Sequence, residues 1–346
     1  MNKIILVGAI NEGNVPSCGE TMKNQLFVKR FNELFDKVIT VDTLNWKKRP
    51  WVLARLFFVL LFNRGAKVII SASGAASYLI SFLYYIPLKK NVYFWVVGGD
   101  LAKGIEKGIY NLKSLAKLNR IIVQGQSMVN DIAKFGLTNT LHVPNSKPIE
   151  YIPQIKRKLS GDKYRFVFLS RIHPQKGIKE IFEAIDILNK KGYANRFIVD
   201  LYGKMEPSFV KEFESYTSRL PNMKYNGFLN LTQSDGYKVL SSYDVMLFPT
   251  YWGGEGFPGV VLDANISGLP IIATDWNMNT EVIEDGKTGF IIPIHDSLSL
   301  ATYMEKYING EINLYEMRKY CIKHVKQYDY RNVISNDLML KLNLIS

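Results

Sequence analysis

Cysteine is scarce in this chain: only Cys18 and Cys321 occur among 346 residues, far apart in sequence. That excludes a disulfide framework and leaves no thiolate spacing for a metal site. The four histidines form no cluster with ligand spacing, and no Asp-x-Asp pair is present, so no metal is expected. No secretory signal is expected either, because Lys3-Ile4-Ile5-Leu6-Val7-Gly8 reads as a buried strand with no apolar h-region after a charged start. The apolar run from Trp51 to Phe62 falls short of the about 20 residues that a membrane-spanning helix needs. A cytoplasmic compartment is therefore expected. Acidic residues are sparse in one half only. Residues 1–159 hold 23 Lys and Arg against 9 Asp and Glu, a charge of +14, whereas the remainder holds 21 against 22.

Apolar residues, by contrast, make up 47% of the chain, enough for two cores at this length. Strand-like and helix-like runs alternate throughout, the pattern of open parallel sheets. The first half predicts strands at Lys3–Val7, Lys37–Val41, Lys67–Ile70, Val92–Val97, Arg120–Val123 and Thr140–Val143. In the second half they are expected at Phe166–Leu169, Phe197–Leu201, Met223–Tyr225, Val245–Phe248, Ile271–Ala273 and Phe290–Ile292. Between the halves, the stretch from Pro144 to Asp162 is polar, proline-containing and without period, which suggests a linker over residues 146–162.

Two loops carry the chemistry. The strand-length run Asp244 to Pro249 leads into Gly253-Gly254-Glu255-Gly256-Phe257-Pro258-Gly259, and a helix-like run follows with Asp263 eight positions after Glu255. Backbone N–H groups and a helix dipole at such a junction suit phosphate or sugar oxygens, and two acids can accept from different hydroxyls of one ligand. Taken alone, the segment also reads as a tight turn with a solvated Glu. About eighty residues upstream, the run Arg165 to Ser170 enters Arg171-Ile172-His173-Pro174-Gln175-Lys176-Gly177, and Ile178, Ile181, Phe182, Ile185 and Leu188 then mark an amphipathic helix. Arg and Lys on a strand-to-helix loop supply a planar fork and a mobile point charge, the donors a diphosphate requires.

In order along the chain, these motifs resemble the family 4 glycosyltransferases of the GT-B fold. Further matches are Tyr202-Gly203 ending a strand, Asn226-Gly227-Phe228-Leu229, the run from Ser267 to Asp275, and Glu281-Val282-Ile283 with Asp285-Gly286 and Gly289-Phe290. The likeness runs from about Arg165 to Pro293. It implies an α/β protein of two Rossmann-like, doubly wound parallel-sheet domains facing a cleft. The first would be an acceptor-binding domain over residues 1–145, with a crossover helix at 330–346, and the second a nucleotide-sugar-binding domain over 163–329. By the same resemblance, the activity is transfer of a hexose, with retention, from a nucleotide diphosphate sugar to a glycan or lipid-linked saccharide acceptor in bacterial surface polysaccharide biosynthesis. A UDP-sugar is favoured over a GDP-sugar. The nearest rivals are a nucleotide-sugar epimerase or hydrolase of the same fold, and a noncatalytic sugar-nucleotide-binding subunit.

The resemblance assigns catalytic roles to Glu255, Arg171 and Lys176, and donor binding to Gly256, Phe257, Pro258, Gly259, Asp263 and Gly203. Glu255 would bind sugar hydroxyls and Asp263 the ribose, the latter one methylene shorter than the usual second Glu. No cofactor is implied, and the leaving charge would be met by Arg171, Lys176 and backbone N–H groups without a metal. On the acceptor side the candidates are Gly13 and Gly19, in a loop from Gly13 to Thr21 where Cys18-Gly19 replaces the usual paired glycines, and Asp100, which follows Gly98-Gly99 where many relatives have a His. Asp100 reads equally as a helix N-cap. Glu281 would cap or support the pocket. His173 alone among the histidines is expected near a ligand, with His142, His295 and His324 at strand ends or on the surface.

The positive charge of the first half calls for an anionic partner. Nucleic acid is not expected, since no binding motif is visible. A peripheral contact with an anionic membrane surface, at the inner face of the cell membrane, fits better. Lys47-Lys48-Arg49-Pro50 precedes the run Trp51 to Phe62, and Arg64 and Lys67 follow it. That run fits either a helix in the headgroup region or a buried helix with solvated flanks. A second apolar run, Tyr78 to Leu88 before Lys89-Lys90, reads as a core helix.

Overall fold

The computed structural model describes residues 2–16, 18–73, 75–86, 91–159, 161–232 and 234–345. Ser17 of the acceptor-side loop and residues 87–90 at the end of the second apolar run lie outside the described residues. The chain divides into two compact units, Met1–Lys147 with Tyr328–Ser346, and Pro148–Gln327.

Each unit is organised on a six-stranded parallel sheet. In the first, β1 (Lys3–Gly8), β2 (Lys37–Asp42), β3 (Lys67–Ile70), β4 (Asn91–Trp95), β5 (Arg120–Val123) and β6 (Thr140–His142) lie in the order β2-β1-β3-β4-β5-β6. In the second, β7 (Tyr164–Leu169), β8 (Phe197–Tyr202), β9 (Met223–Tyr225), β10 (Val245–Phe248), β11 (Ile271–Thr274) and β12 (Gly289–Ile292) lie in the order β12-β11-β10-β7-β8-β9. The twelve strands stand where the apolar runs predict them, with ends shifted by one or two residues. Their near-continuous apolar character follows from burial of both strand faces, seen in the buried runs Ile4 to Val7 and Val245 to Phe248. Strand order reverses between β1 and β3 in the first unit and between β7 and β10 in the second. In open α/β sheets the crevice outside the carboxyl ends at such a reversal is where ligands bind.

Three helices of the first unit matter here: α1 (Gly19–Leu34), α2 (Trp51–Phe62) and α3 (Ala76–Tyr85). Phe27 and Phe31 of α1 pack into one core with Ile4, Leu6 and Trp95, and Asn24 donates to the Ala9 and Ser71 carbonyls at 2.9 Å each, bracing the β1/β3 reversal. The chain's last turns complete the same core. Ile334, Met339, Leu342 and Leu344 pack with those residues, Tyr93 donates to the Leu342 carbonyl at 2.8 Å, and Arg30 donates to the Ile334 carbonyl at 2.8 Å.

The stretch expected as a linker has no regular structure, yet it is not loose chain. Tyr151 shares a hydrogen bond of 2.8 Å with Ser241, Lys158 pairs with Asp244 at 2.6 Å, and the Arg157 guanidinium lies 4.4 Å from the Tyr315 ring centroid. These contacts strap it to the second unit. One histidine expectation is corrected. His324, on the helix Leu314–Val325, is buried with its ring nitrogen 2.9 Å from Glu284, because its helix packs against the helix Gly259–Ile266 instead of standing in solvent.

An unusual lysine sits on α1. Lys23 lies over the rings of Phe27 and Trp95 and donates to the Val96 carbonyl at 3.2 Å. Burial pushes its pKa down to about 7, opposed by the nearby carboxylate of Glu20. The unfolded chain then binds more protons than the folded one between about pH 7 and the ordinary lysine value, so stability from this group rises with pH across that window. In urea unfolding at a series of pH values, Lys23→Met should remove a slope approaching about 1.4 kcal/mol per pH unit relative to the parent. Parallel curves for the two proteins would show that Lys23 titrates normally.

Candidate functional site

The loops that leave β7 and β10 meet at the order reversal of the second sheet. After β7, Arg171 to Gly177 includes a single 3-10 turn, Pro174–Lys176, whose N-cap His173 accepts from the Gln175 N–H at 3.1 Å. After β10, residues 249–258 run to the helix Gly259–Ile266. The loops are stitched by the Tyr251 N–H, which donates to the Gln175 carbonyl at 2.9 Å. Gly177 permits this approach. It has φ +78°, and a Cβ there would fall inside van der Waals contact of the Pro249 carbonyl.

The stitching brings Lys176 and Glu255 into a direct ion pair, 79 residues apart in sequence and both largely removed from solvent. Thr250 donates to the same Glu255 carboxylate at 3.3 Å, and Asn277 donates to the Glu255 carbonyl at 2.8 Å. Trp252 forms the neighbouring wall. The Arg171 guanidinium lies 5.2 Å and the Lys176 ammonium 5.7 Å from its ring, and His173 meets it edge-on at 4.9 Å. Trp276 anchors it by donating to the Trp252 carbonyl at 2.8 Å. Arg171 itself is exposed.

Asp263 stands one turn into its helix, which begins at Gly259. Its carboxylate is buried and accepts from the Tyr237 hydroxyl at 2.7 Å. Burial, reinforced by the charge of Asp263, raises the Tyr237 pKa far above the ordinary phenol value, so the phenol remains the donor. Phe257 and Pro258 are buried at the turn, and Pro258 occupies the N-cap. A proline has no N–H, so backbone donors at this turn come from Gly256, Phe257, Gly259 and Val260, not from an unbroken run. Gly203 closes β8 with φ +147°, where a Cβ would strike the Ser170 carbonyl, and its N–H donates to the Gly227 carbonyl at 2.8 Å. It therefore lies beside the loop that follows β7.

Several neighbours carried no sequence signal. Glu180, in the first turn of the helix Ile178–Lys190, is buried and pairs with His295 at 2.9 Å, while the His295 ring meets Tyr251 at 4.1 Å. His295, expected as an ordinary strand-end residue, thus touches the loop that carries Glu255. Glu281 is exposed on the short helix Asn279–Val282.

In the first unit, the loop after β1 holds Gly13 at φ +78° and ends at Gly19, the first residue of α1. Cys18 takes the N-cap place there, its N–H donating to Thr21 at 3.0 Å. Asp100 occupies the N-cap position of the helix Leu101–Glu106, but its side chain makes no capping bond and instead lies 3.7 Å from Lys103 at the surface. Among the described residues, no three His, Cys, Asp or Glu side chains gather as a metal site.

Comparison with known proteins agrees with this architecture. A model of the family described as glycosyl transferases group 1 matches residues 150–328. The capsular polysaccharide biosynthesis glycosyltransferase CapM of Staphylococcus aureus is 30% identical over 200 residues, which span 57% of this chain and 48% of that protein. A UDP-Gal:alpha-D-GlcNAc-diphosphoundecaprenol alpha-1,3-galactosyltransferase of Escherichia coli is 26% identical over 203 residues, 56% of this chain and 49% of that protein. The chain thus spans about half the length of these relatives. Among solved structures, the lipopolysaccharide outer core galactosyltransferase WaaB in its apo form matches with a TM-score of 0.74 at 14% identity, covering 99% of this chain and 100% of that one. Anabaena HepE in complex with UDP matches with a TM-score of 0.73 at 14% identity, covering 99% and 100%. At that identity the likeness shows the fold, which is GT-B.

The role of Gly177 is testable against Gly192, whose φ of +88° is similar but whose Cβ position is open. Gly192→Ala should cost only left-handed strain, about 1–2 kcal/mol. Gly177→Ala adds a backbone collision and should cost visibly more in urea unfolding. Equal costs would mean that the two loops do not need this approach.

Proposed function

The chain belongs to the group 1 glycosyl transferases, and on that premise we propose that it moves a hexose, with retention, from a nucleotide diphosphate sugar to a glycan or lipid-linked saccharide acceptor. The product would serve a bacterial surface polysaccharide, and the enzyme would meet its acceptor at the inner face of the cell membrane. A UDP-sugar is the favoured donor over a GDP-sugar. The observation that carries the reading is the Lys176–Glu255 pair at the β7/β10 reversal, where a cation and an acid from two signature loops converge. Its destination draws support from relatives whose names place them in capsule assembly and in galactosyl transfer to a diphosphoundecaprenol saccharide. The donor preference draws support from the UDP held by HepE.

Glu255 forms an ion pair with Lys176. A donor diphosphate would compete for that ammonium, with Arg171 and the N–H groups of Gly256, Phe257 and Gly259 as further donors. Glu255 would then be released to accept from hydroxyls of the donor sugar. Asp263, fixed by Tyr237, would accept from the ribose. Gly203 would let the nucleotide lie close to the backbone after β8, with Phe257 and Pro258 supporting the turn beneath it. The acceptor hydroxyl would form its bond to the anomeric carbon as the bond to the diphosphate breaks, and its proton would pass to the leaving phosphate oxygen. Positive charge from Arg171 and Lys176 would take the place of a divalent cation. Gly13, Gly19 and Asp100 of the first unit are proposed on the acceptor side.

Thermal stabilisation by a panel of UDP- and GDP-sugars, followed by NMR assignment of the product anomer, tests the reading directly. Stabilisation by a UDP-sugar and a retained anomeric configuration are expected. Binding without transfer to any saccharide acceptor would leave a sugar-nucleotide-binding protein instead. Lys176→Ala should weaken UDP binding by about 1.5–3 kcal/mol through loss of a charge-assisted bond, and unchanged affinity would remove Lys176 from the site. Transfer should also survive EDTA, whereas loss restored by a divalent cation would overturn the metal-free mechanism.

A further inference from the structure

We propose that the solvent face of α2, with its basic flanks, is the element that docks the first unit on an anionic lipid surface. Val52, Leu56 and Leu60, spaced i, i+4 and i+8, are buried against the unit. The opposite face is not polar, as a helix on a water-facing surface would be. It presents Trp51, Phe58 and Phe62, exposed by 60%, 53% and 78%, with Phe57 at its margin. Positions 51, 55, 58 and 62 fall on one stripe of an α-helix. Phe58 stacks on Phe62 at 6.5 Å and meets Phe57 edge-on at 5.7 Å, so the aromatic rings form one patch. Arg55, the one cation on the stripe, donates to the Thr40 carbonyl at 3.2 Å, which draws its head group back towards the unit. Tyr78 and Tyr85 are further exposed aromatic residues on α3, and Tyr78 and Leu79 line a small apolar cavity together with Val52 and Leu53 of α2.

Charge identifies the occupant. Between Asp42 and Asp100 the sequence holds eight Lys and Arg and no acid at all. Lys47 and Lys48 stand exposed just before α2, and Arg64 stands exposed just after it. A two-fold contact between copies would set this cationic rim against itself, a repulsive arrangement. Anionic headgroups meet the rim, and the acyl boundary takes the aromatic face, the amphipathic mode of a helix lying in the interface. No helix among the described residues is long and apolar enough to cross a membrane, so the contact is peripheral. The proposal rests on the acceptor reading above for its purpose but not for its test, since UDP binding by the second unit is measured separately.

The full chain should co-sediment with vesicles of phosphatidylcholine containing phosphatidylglycerol and not with phosphatidylcholine alone, and moderate salt should weaken the binding. Phe58→Ser with Phe62→Ser should lower vesicle partitioning by about tenfold or more, with UDP stabilisation unchanged. Lys47→Glu with Lys48→Glu should lower it similarly through charge. A tryptophan emission shift to the blue on vesicle addition should disappear in Trp51→Phe. Partitioning that is equal in the parent and both double variants would overturn the assignment. So would a concentration-dependent dimer, lost in the phenylalanine variant, without vesicle binding, because that result hands the face to a second copy.

Discussion

The candidate site of the second unit is organised by one contact: an ammonium and a carboxylate paired at the place where two adjacent strands release their chains in different directions. β7 and β10 are neighbours in the sheet although their loops are 79 residues apart at Lys176 and Glu255. Removing both charges from water carries a desolvation cost that their attraction only offsets when the geometry is good and the remaining lone pairs are satisfied. Thr250 and the Trp252 wall meet that requirement, and Gly177 sets the spacing that makes it possible. A charge pair of this kind is a poor device for stability and a good one for a ligand that is itself anionic. A diphosphate entering as proposed would replace one partner of a pair that is already desolvated, so it would not need to dehydrate a fresh ammonium.

Much of this was legible in the sequence for a definite physical reason. Strands buried on both faces must be near-continuously apolar, so the twelve of them stand out between polar loops, as Val245-Met246-Leu247-Phe248 does. Arg171, Lys176, Glu255 and Asp263 stood out because charge and glycine cluster where strands end. The rest lacked any local pattern. Trp252 reads as one more aromatic in a loop, and its position between Arg171 and His173 exists only once β7 and β10 are neighbours. Tyr237 lies on the helix Ser234–Ser241 and meets Asp263 through helix packing alone. His295 and Glu180 are 115 residues apart, and His324 looks like a solvated residue until the packing of its helix brings it to Glu284. Local pattern finds what a residue must be; only topology finds what it must touch.

Charge and apolarity are divided between the units in a way that fits the tasks proposed for them. A site for an anionic donor needs a few cations placed precisely where the phosphate sits, not a positive field over the whole unit, and residues 160–346 are close to neutral. A diffuse surface such as a membrane would call for the opposite solution, many cations beside an apolar face, and the sequence between Asp42 and Asp100 has that composition. The same segment explains why hydropathy alone could not decide the fate of α2. A twelve-residue helix with eleven apolar residues suffices to bury one stripe through Val52, Leu56 and Leu60 and still leave aromatic rings for another partner.

The path of the chain adds a constraint on how the two units form. Residues 148–327 are contiguous and contain a complete sheet and core, so every long-range contact of the second unit closes within one stretch. The first unit is discontinuous. Its core draws on Ile334, Met339, Leu342 and Leu344, and Tyr93 in β4 is satisfied by the Leu342 carbonyl, 249 residues away. During synthesis the first six strands therefore emerge before the residues that finish their core, while the second unit is made and can fold in between. Closure of so long a loop costs only slowly increasing entropy, and a folded second unit shortens the effective loop further. The strap from Tyr151 to Lys158 has the matching effect at the other junction, since its bonds to Ser241 and Asp244 fix where the chain enters the second unit. Both crossings are thus tied to packed structure, and the unit that carries the charge pair is the one able to assemble without waiting for the end of the chain.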